Sequence, residues 1–418
     1  MESSKKEVEF FLSKDGLLNL SVNGLNYYSR YNIKSDIIRF LKPYIEKSGK
    51  RYILFGLGLG YHAEMLLEMD DKEVIIVETE ANLLNLLLSK QEIIQLLKND
   101  RITLLSKIQD LKLAREDRII IIPTWHKTLE SGPIKDALQE IIWLRTNKAA
   151  NDLLVTNFRL NICSDFRNIS NLKNLLARES SILVSAGPSL DAQMNFLKKA
   201  KGRMFILAVG AAYKPLLEAG IEPDAVIIED PNPVVYAQIE NIKLKIPLFV
   251  GCTVYPLVLS CPAPAKYMIF QKGMSDAEAY SREHQLDLIE VGGSVATMAF
   301  SLLLYMGVSQ LIFVGQDLAY TNGRSHSDGS TSNKSFKYDI RTQYKVLSNR
   351  GNQVPTSLSW NYFRKFLENK IAQYPKVQFV NTALDGAVIR GAKYLSSNDI
   401  VIPSVTSKDY SDLIIAND

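Results

Sequence analysis

The chain has 418 residues, 46% hydrophobic and 22% charged, a composition typical of a soluble globular protein with two or three domains. The formal net charge of +4, from 49 basic and 45 acidic residues, is too small to favour nucleic acid as a partner. The first residues are charged and no run of about 18 apolar residues occurs, so neither secretion nor membrane insertion is predicted. Three cysteines without a pattern fit a cytoplasmic protein and argue against a zinc site.

Residues 1–130 are predicted to form an N-terminal Rossmann-like domain. An apolar run at 52–55 leads into the glycine-rich turn Gly56–Gly60, and the next apolar run ends in Glu78. A glycine turn with an acidic residue about 20 positions later is typical of nucleoside sites and would suit S-adenosylmethionine or a dinucleotide. The alternative is a structural turn without a ligand, and two bulky leucines within the turn favour it.

Three further segments complete the predicted organisation. Residues 131–178 have apolar positions at three- and four-residue steps, which predicts a helical connector without strands. Residues 179–350 alternate apolar runs with helical patterns and are predicted to form a central α/β domain, and residues 351–418 add a helix and a closing segment. Between 318 and 360, small polar residues predict a long functional loop or lid. The predicted fold class is α/β, with two Rossmann-like parallel-sheet domains joined by helices.

Small or polar residues follow the apolar runs of the central domain. The run at 182–184 ends in Ser185-Ala-Gly187-Pro-Ser189, where the glycine allows an anion to approach the backbone and the hydroxyls donate to it. Because the carboxyl ends of parallel strands share one edge of a sheet, these loops are expected to form a nucleotide-sized site. A tight turn without a ligand needs the same residues and is the alternative. The predicted nucleotide-binding residues are Ser185, Gly187, Ser189, Glu229, Asp230, Gly292, Gly293 and Ser294.

The order of these motifs resembles the central domain of the Maf motility-associated flagellin glycosyltransferases. The residues that carry the resemblance are Ser185-Ala-Gly-Pro-Ser189-Leu-Asp, Glu229-Asp230, Gly292-Gly-Ser294, Gly315-Gln-Asp317-Leu-Ala-Tyr and His326-Ser-Asp328-Gly. Upstream, Tyr28-Ser-Arg-Tyr31 and Phe55-Gly-Leu-Gly-Leu-Gly-Tyr61 are similar to the N-terminal domain of that family. The central domain is also similar, more distantly, to CMP-sialic acid transferases and to MptE-type hydroxymethylpterin diphosphokinases.

The resemblance implies a glycosyltransferase that acts in the cytoplasm. Its donor would be a CMP-activated nonulosonic acid, such as pseudaminic or legionaminic acid, and its acceptors would be Ser or Thr hydroxyls of flagellin, a modification needed for flagellum assembly and motility. A CMP-linked sugar carries one phosphodiester, so no metal clamp is required, and the chain has no convincing Asp-x-Asp motif. No firm cofactor is predicted, and Mg²⁺ remains open.

Such a transferase must stabilise an oxocarbenium-like centre, neutralise the departing phosphate and deprotonate the acceptor hydroxyl. His326 is the predicted base or phosphate-neutralising acid, Tyr320 is predicted to serve the leaving group, and Asp317 is a third catalytic candidate. Glu229 and Asp230 would hold ribose hydroxyls or orient the acceptor, although acidic residues at strand ends also cap helices.

Two other functions are compatible with the sequence. An MptE-like 6-hydroxymethylpterin diphosphokinase would need ATP, magnesium and a pterin pocket, and EDTA would abolish its activity. A non-catalytic flagellin-binding protein would use the same loops as structural turns, and no nucleotide would raise its melting temperature.

Overall fold

The structure, a computed structural model, describes residues 7–45, 50–112, 114, 116–129, 135, 138, 151–331, 344–404 and 409–416. The chain forms two compact units, Met1–Leu138 and Gln139–Asp418. None of the helices in these described ranges is both long and apolar enough to cross a membrane.

The first unit contains two sheets. A three-stranded antiparallel sheet has the order β1-β2-β3, and a four-stranded parallel sheet has the order β6-β5-β4-β7. Strand β4 is buried along its whole length, as expected for a central parallel strand. The elements are β1 Val8–Leu12, β2 Leu18–Val22, β3 Leu25–Asn26, α1 Ile33–Ile45, β4 Tyr52–Phe55, α2 Tyr61–Met69, β5 Val74–Val77, α3 Ala81–Leu87, α4 Gln91–Leu96, β6 Ile102–Leu105, β7 Arg118–Ile121 and α5 Pro123–Thr128.

The second unit is built on a ten-stranded parallel sheet. Its order is β14-β13-β12-β11-β10-β9-β15-β18-β19, with β8 paired to β13, and a separate hairpin joins β16 to β17. The elements are α6 Asn151–Asn161, β8 Arg167–Asn168, β9 Ser180–Val184, α7 Met194–Ala200, β10 Phe205–Val209, α8 Gly210–Glu218, β11 Ala225–Ile228, β12 Leu248–Gly251, β13 Lys266–Gln271, α9 Ser275–His284, β14 Leu288–Ile289, α10 Val295–Tyr305, β15 Gln310–Val314, β16 Tyr344–Leu347, β17 Gln353–Thr356, α11 Leu358–Gln373, β18 Gln378–Asn381, β19 Lys393–Tyr394 and α12 Tyr410–Ala416.

The core of the second unit lies between this sheet and its helices. Strands β10, β11 and β12 are buried at every position, since both faces of the sheet are covered. Helix α10 is apolar almost all round and is buried over most of its length, because it packs on β9, β10 and β11 and also contacts α11.

The order of the strands fixes where the chain reverses direction across the sheet. From β9 the chain adds strands outward as far as β14, and it then returns through α10 to place β15 on the other side of β9. The loops that follow β9 and β15 therefore leave the sheet in opposite directions. In open α/β sheets such a switch point forms the crevice that binds ligands.

The predicted α/β fold class with two parallel-sheet units is confirmed. The predicted loop at 318–360 is wrong for part of its length, because the described segment 344–356 forms the β16–β17 hairpin. The prediction that 131–178 lacks strands is also wrong, since β8 pairs with β13. Both predictions failed because strands of only two to four residues are too short to show the two-residue hydrophobic alternation of a strand. Residues 131–134, 136, 137, 139–150 and 332–343 of these predicted segments lie outside the described residues.

The C-terminal segment 351–418 supplies two strands to the main sheet. Strand β18 pairs in parallel with β15, and β19 pairs with β18. The predicted closing strand is thus adjacent to the loop that carries Asp317 and belongs to the same compact unit as the central domain.

Candidate active site at the sheet switch point

The loops after β9 and β15 begin side by side. Val184 and Val314, the last residues of the two strands, are paired in parallel register. The backbone N–H of Ser185 donates to the carbonyl of Val314 at 2.8 Å, and the Ser185 hydroxyl donates to Oε1 of Gln316 at 2.5 Å. Two of the predicted motifs therefore meet at the switch point.

Asp317 lies against the loop that was predicted to bind phosphate. Its carboxylate accepts the backbone N–H of Ser189 at 3.2 Å and the Ser189 hydroxyl at 2.7 Å. Gly187 makes this approach possible, because a Cβ at that position would overlap the carboxylate. Burial raises the pKa of Asp317 to about 6, and the hydrogen bonds from Ser189 oppose that rise. A carboxylate of the chain itself thus occupies the position expected for an anionic ligand.

A 3-10 turn lies between the loop of Ser189 and the helix that follows it. The turn spans Pro188–Gln193, and helix α7 begins only at Met194. The N–H of Leu190 donates to the carbonyl of Gly187, so the tight turn satisfies this donor internally. The sequence did not distinguish this short turn from the first turn of an α-helix.

A charge cluster fastens the loop of His326 to the β9 loop. The guanidinium of Arg324 lies 2.9 Å from a carboxylate oxygen of Asp191 and 2.9 Å from one of Asp328. The backbone N–H of Ser327 donates to the carbonyl of Ala186 at 2.8 Å. Sequence reasoning missed Arg324, because its partner Asp191 is 133 positions away and no local pattern links them.

Trp360 brings two predicted catalytic residues together. Its ring lies 4.6 Å from the ring of Tyr320 and 6.3 Å from that of His326, centroid to centroid. Nδ1 of His326 is 3.0 Å from the hydroxyl of Ser325, and burial lowers the pKa of His326, so its imidazole is neutral at pH 7. Trp360 was also missed by sequence reasoning, because no local pattern links it to Tyr320 or His326.

Glu229 and Asp230 follow β11 but differ in their surroundings. Asp230 is exposed, and its Oδ1 accepts the backbone N–H and the side-chain amide of Asn232, both at 2.8 Å. Glu229 packs against Gly251, where a Cβ would stand 2.9 Å from its Cγ, and the described residues offer its carboxylate no hydrogen-bond partner. Burial, followed by the charge of Asp230, raises the pKa of Glu229 to about 7. Glu229 is therefore the carboxylate available to a ligand, whereas Asp230 shapes the turn.

The predicted loop Gly292–Ser294 lies farther along the sheet. It follows β14, at the end of the sheet opposite β19, and leads into α10. Ser294 and Thr297 form a capping box in which each side chain accepts a backbone N–H of the other. The Ser294 hydroxyl is thus part of the helix cap, and Gly293 has a positive φ of 80° that suits the turn before it.

In the first unit, side chains of the unit itself fill the predicted nucleoside site. Tyr28 accepts the backbone N–H of Leu59 at 2.7 Å, and a Cβ on Gly58 would overlap the Tyr28 hydroxyl. Glu78 is fully buried and accepts the backbone N–H of the turn at 3.1 Å and the indole N–H of Trp125 at 2.8 Å. Donors and acceptors that would hold a nucleoside are thus bonded within the unit, which favours the structural turn over a cofactor site.

The described part of the chain contains no group of three or more His, Cys, Asp or Glu side chains arranged to hold a metal ion. Its three cysteines are free, and two of them, Cys252 and Cys261, are buried.

Comparison with known proteins found a family that matches part of the sequence and a solved structure with a similar fold. Residues 155–323, less than half of the chain, match the family described as 6-hydroxymethylpterin diphosphokinase MptE-like. The structure of a Maf glycosyltransferase from Magnetospirillum magneticum AMB-1 is similar over 99% of this chain and 73% of its own, with a TM-score of 0.52 and 17% identity.

Three uncharacterised proteins of Treponema pallidum (strain Nichols) are also similar in sequence. One is 28% identical over 131 residues and another is 26% identical over 189 residues, and the matches cover 33% and 32% of their respective lengths. The third is 25% identical over 220 residues, which cover 71% of its length. The chain thus spans about a third of the length of the first two relatives. Residues 155–323, in the second unit, are thus similar to the MptE-like family, and the chain has the fold of a Maf glycosyltransferase, as its motifs predicted.

Proposed function

We propose that the chain is a glycosyltransferase that moves a nonulosonic acid, pseudaminic or legionaminic acid, from its CMP-activated form to Ser or Thr hydroxyls of flagellin. This reaction would take place in the cytoplasm and serve flagellum assembly and motility. The observation that carries the proposal is the meeting of the Ser185–Ser189 and Gly315–Tyr320 loops at the sheet switch point, where α/β sheets bind nucleotides. The fold shared with a Maf glycosyltransferase supports the transferase class.

Donor binding at the β9 loop would require Ser189 to change partners. Its hydroxyl proton is directed at Asp317, so it donates to a phosphodiester only after it leaves that carboxylate. Asp317 would then lose its shortest hydrogen bond and keep only the Ser189 N–H and the Thr321 hydroxyl as donors, which leaves its negative charge near the sugar. Such a charge stabilises the positive, oxocarbenium-like centre that forms as the bond between the anomeric carbon and the phosphate oxygen breaks.

The remaining steps fall to residues near Trp360 and at the end of β11. The electron pair of the broken bond leaves with CMP, and Tyr320 would donate a hydrogen bond to the departing phosphate. The acceptor oxygen attacks the anomeric carbon, and the neutral imidazole of His326 would take its proton. The unpaired carboxylate of Glu229 would hold ribose or acceptor hydroxyls.

The test is a transfer assay with the purified chain, flagellin and either CMP-pseudaminic or CMP-legionaminic acid. The proposal predicts that the intact mass of flagellin rises by whole sugar residues, and only when a CMP-sugar is present. Unchanged flagellin with both donors, under conditions where the chain is folded, would contradict it.

A pterin diphosphokinase is the second candidate, because the MptE-like family matches residues 155–323. It would convert ATP and 6-hydroxymethylpterin into AMP and the pterin diphosphate in the presence of magnesium. AMP release that depends on the pterin and stops with EDTA would favour this activity over sugar transfer.

A further inference from the structure

The antiparallel sheet of the first unit has one edge whose backbone groups face outward. Among the described strands, β1 pairs only with β2. Backbone hydrogen bonds join Asn23 to Glu7 and Ser13 to Leu17, so the odd-numbered positions of β1 face β2. The N–H and C=O groups that point away from the sheet belong to Val8, Phe10 and Leu12.

A groove of about 830 Å³ lies along this strand. Its walls include Phe11, Leu12 and Tyr31, and the side chains of Leu12 and Tyr31 are 69% and 68% exposed. The N–H of Lys14 donates to the carbonyl of Arg30 at 2.9 Å, on the outward side of the strand. The edge that is open to a further strand therefore runs from Val8 to Leu12. Beyond Leu12 it is closed by the hydrogen bond between Lys14 and Arg30. We call this surface, lined by residues 9–12, 14, 21, 30 and 31, the β1 groove.

The charges of the β1 groove favour an acidic ligand. The ammonium of Lys14 lies 4.5 Å from the ring centroid of Tyr31, and the guanidinium of Arg30 lies 5.5 Å from that of Phe11. Neither cation is paired with a carboxylate among the described residues. The one carboxylate in the groove, Glu9, is within 3.5 Å of the Ser21 hydroxyl.

The walls of the groove are fixed by internal hydrogen bonds. The side-chain amide of Asn19, which is fully buried, donates to the carbonyls of Tyr28 and Ser29 at 3.2 and 3.0 Å. The hydroxyl of Ser29 accepts the backbone N–H of Tyr31 at 3.2 Å. A partner would therefore bind a surface that is already ordered, which lowers the entropic cost of association.

We propose that the β1 groove binds an extended, acidic peptide segment of another protein, which adds to β1 as a further strand and directs its carboxylates at Lys14 and Arg30. The outward N–H and C=O groups of β1 match the backbone of a peptide strand. A nucleic acid has no row of backbone N–H and C=O groups that could pair with those of β1. The carboxylate of Glu9 in the groove and the small net charge of +4 also disfavour a polyphosphate.

The experiment is fluorescence anisotropy of the full chain with a fluorescein-labelled octapeptide of alternating valine and glutamate. The proposal predicts saturable binding that Arg30→Glu weakens at least tenfold, whereas Lys98→Glu, an exposed charge outside the groove, leaves it unchanged. A peptide of the same sequence in which every backbone nitrogen is methylated should lose binding, since neither of its edges can then donate hydrogen bonds to β1.

Three results would overturn the proposal. One is the absence of binding by the acidic peptide at millimolar concentration. Another is binding of the lysine counterpart as tight as that of the acidic peptide, which would exclude charge matching, or equally tight binding of the N-methylated peptide, which would exclude strand addition. The third is preferential binding of a fluorescent oligouridine, which would assign the β1 groove to nucleic acid.

Discussion

The hydroxyl of Ser189 donates to the carboxylate of Asp317 at 2.7 Å, so a residue predicted to bind phosphate holds an acidic side chain of its own chain. Removal of the Asp317 charge should strengthen the binding of a phosphate group at the β9 loop and reduce the rate of sugar transfer. Asp317→Asn is expected to bind CMP about tenfold more tightly, because electrostatic repulsion is gone, and to lose most of its transfer activity. Calorimetric titration with CMP and the transfer assay measure the two effects. Weaker CMP binding together with normal turnover would contradict this role.

Glu229 should control donor or acceptor binding through its protonation. Its pKa is raised to about 7, so the carboxylate becomes ionised as the pH rises through that value, and hydroxyl groups then bind better. We expect KM to fall from pH 6 to pH 8 in the natural chain. Glu229→Gln should raise KM about tenfold and flatten this dependence.

Asp230→Asn is the matched control for Glu229, because its amide oxygen can still accept the two hydrogen bonds from Asn232. This variant should keep the KM of the natural chain at pH 8, and its KM profile should move to lower pH, because the charge of Asp230 no longer helps to raise the pKa of Glu229. Equal effects of the two substitutions would mean that the turn, and not the Glu229 carboxylate, determines binding.

His326 is expected to act as a neutral base. Burial lowers its pKa from 6.5, so activity that depends on it should be lost only when the pH falls below that value. His326→Ala should reduce kcat about 100-fold without a change in melting temperature. His284→Ala, at an exposed position in the same unit, should have full activity. A normal kcat in His326→Ala would remove the residue from the mechanism.

His62 in the first unit should make the free energy of unfolding decrease at acidic pH. It is 5% exposed, and burial lowers its pKa from 6.5 to about 4. The unfolded chain therefore binds a proton that the folded chain does not between pH 6.5 and 4, and stability is lost as the pH falls through this window. The contribution is about 3 kcal/mol at its limit. Between pH 7 and pH 4, the free energy of unfolding measured with urea should fall less in His62→Leu than in the natural chain. An equal fall in both chains would exclude His62 as the cause.

Local patterns predicted much of the fold but few of the contacts within the site. Apolar runs marked β9 and β15, and small residues after them marked the sheet edge, because burial and tight turns restrict residue type locally. The pairing of Ser189 with Asp317 spans 128 positions, and the packing of Trp360 on Tyr320 and His326 depends on how α11 meets the β15 loop. Such partners are set by tertiary packing, which hydrophobic periodicity does not encode. The same limit applies to Tyr28, which closes the glycine turn of the first unit.

The most direct test of a CMP-sugar site at the switch point is the melting temperature of the purified chain with CMP, with ATP and magnesium, and with S-adenosylmethionine. A ligand at about 100 times its Kd stabilises the folded state by about 2.7 kcal/mol, which gives a measurable shift. A CMP-sugar site at the switch point predicts a shift with CMP and none with S-adenosylmethionine, because the glycine turn is filled by Tyr28 and Glu78 is bonded to Trp125. A shift with ATP and magnesium but not with CMP would contradict it and favour the diphosphokinase.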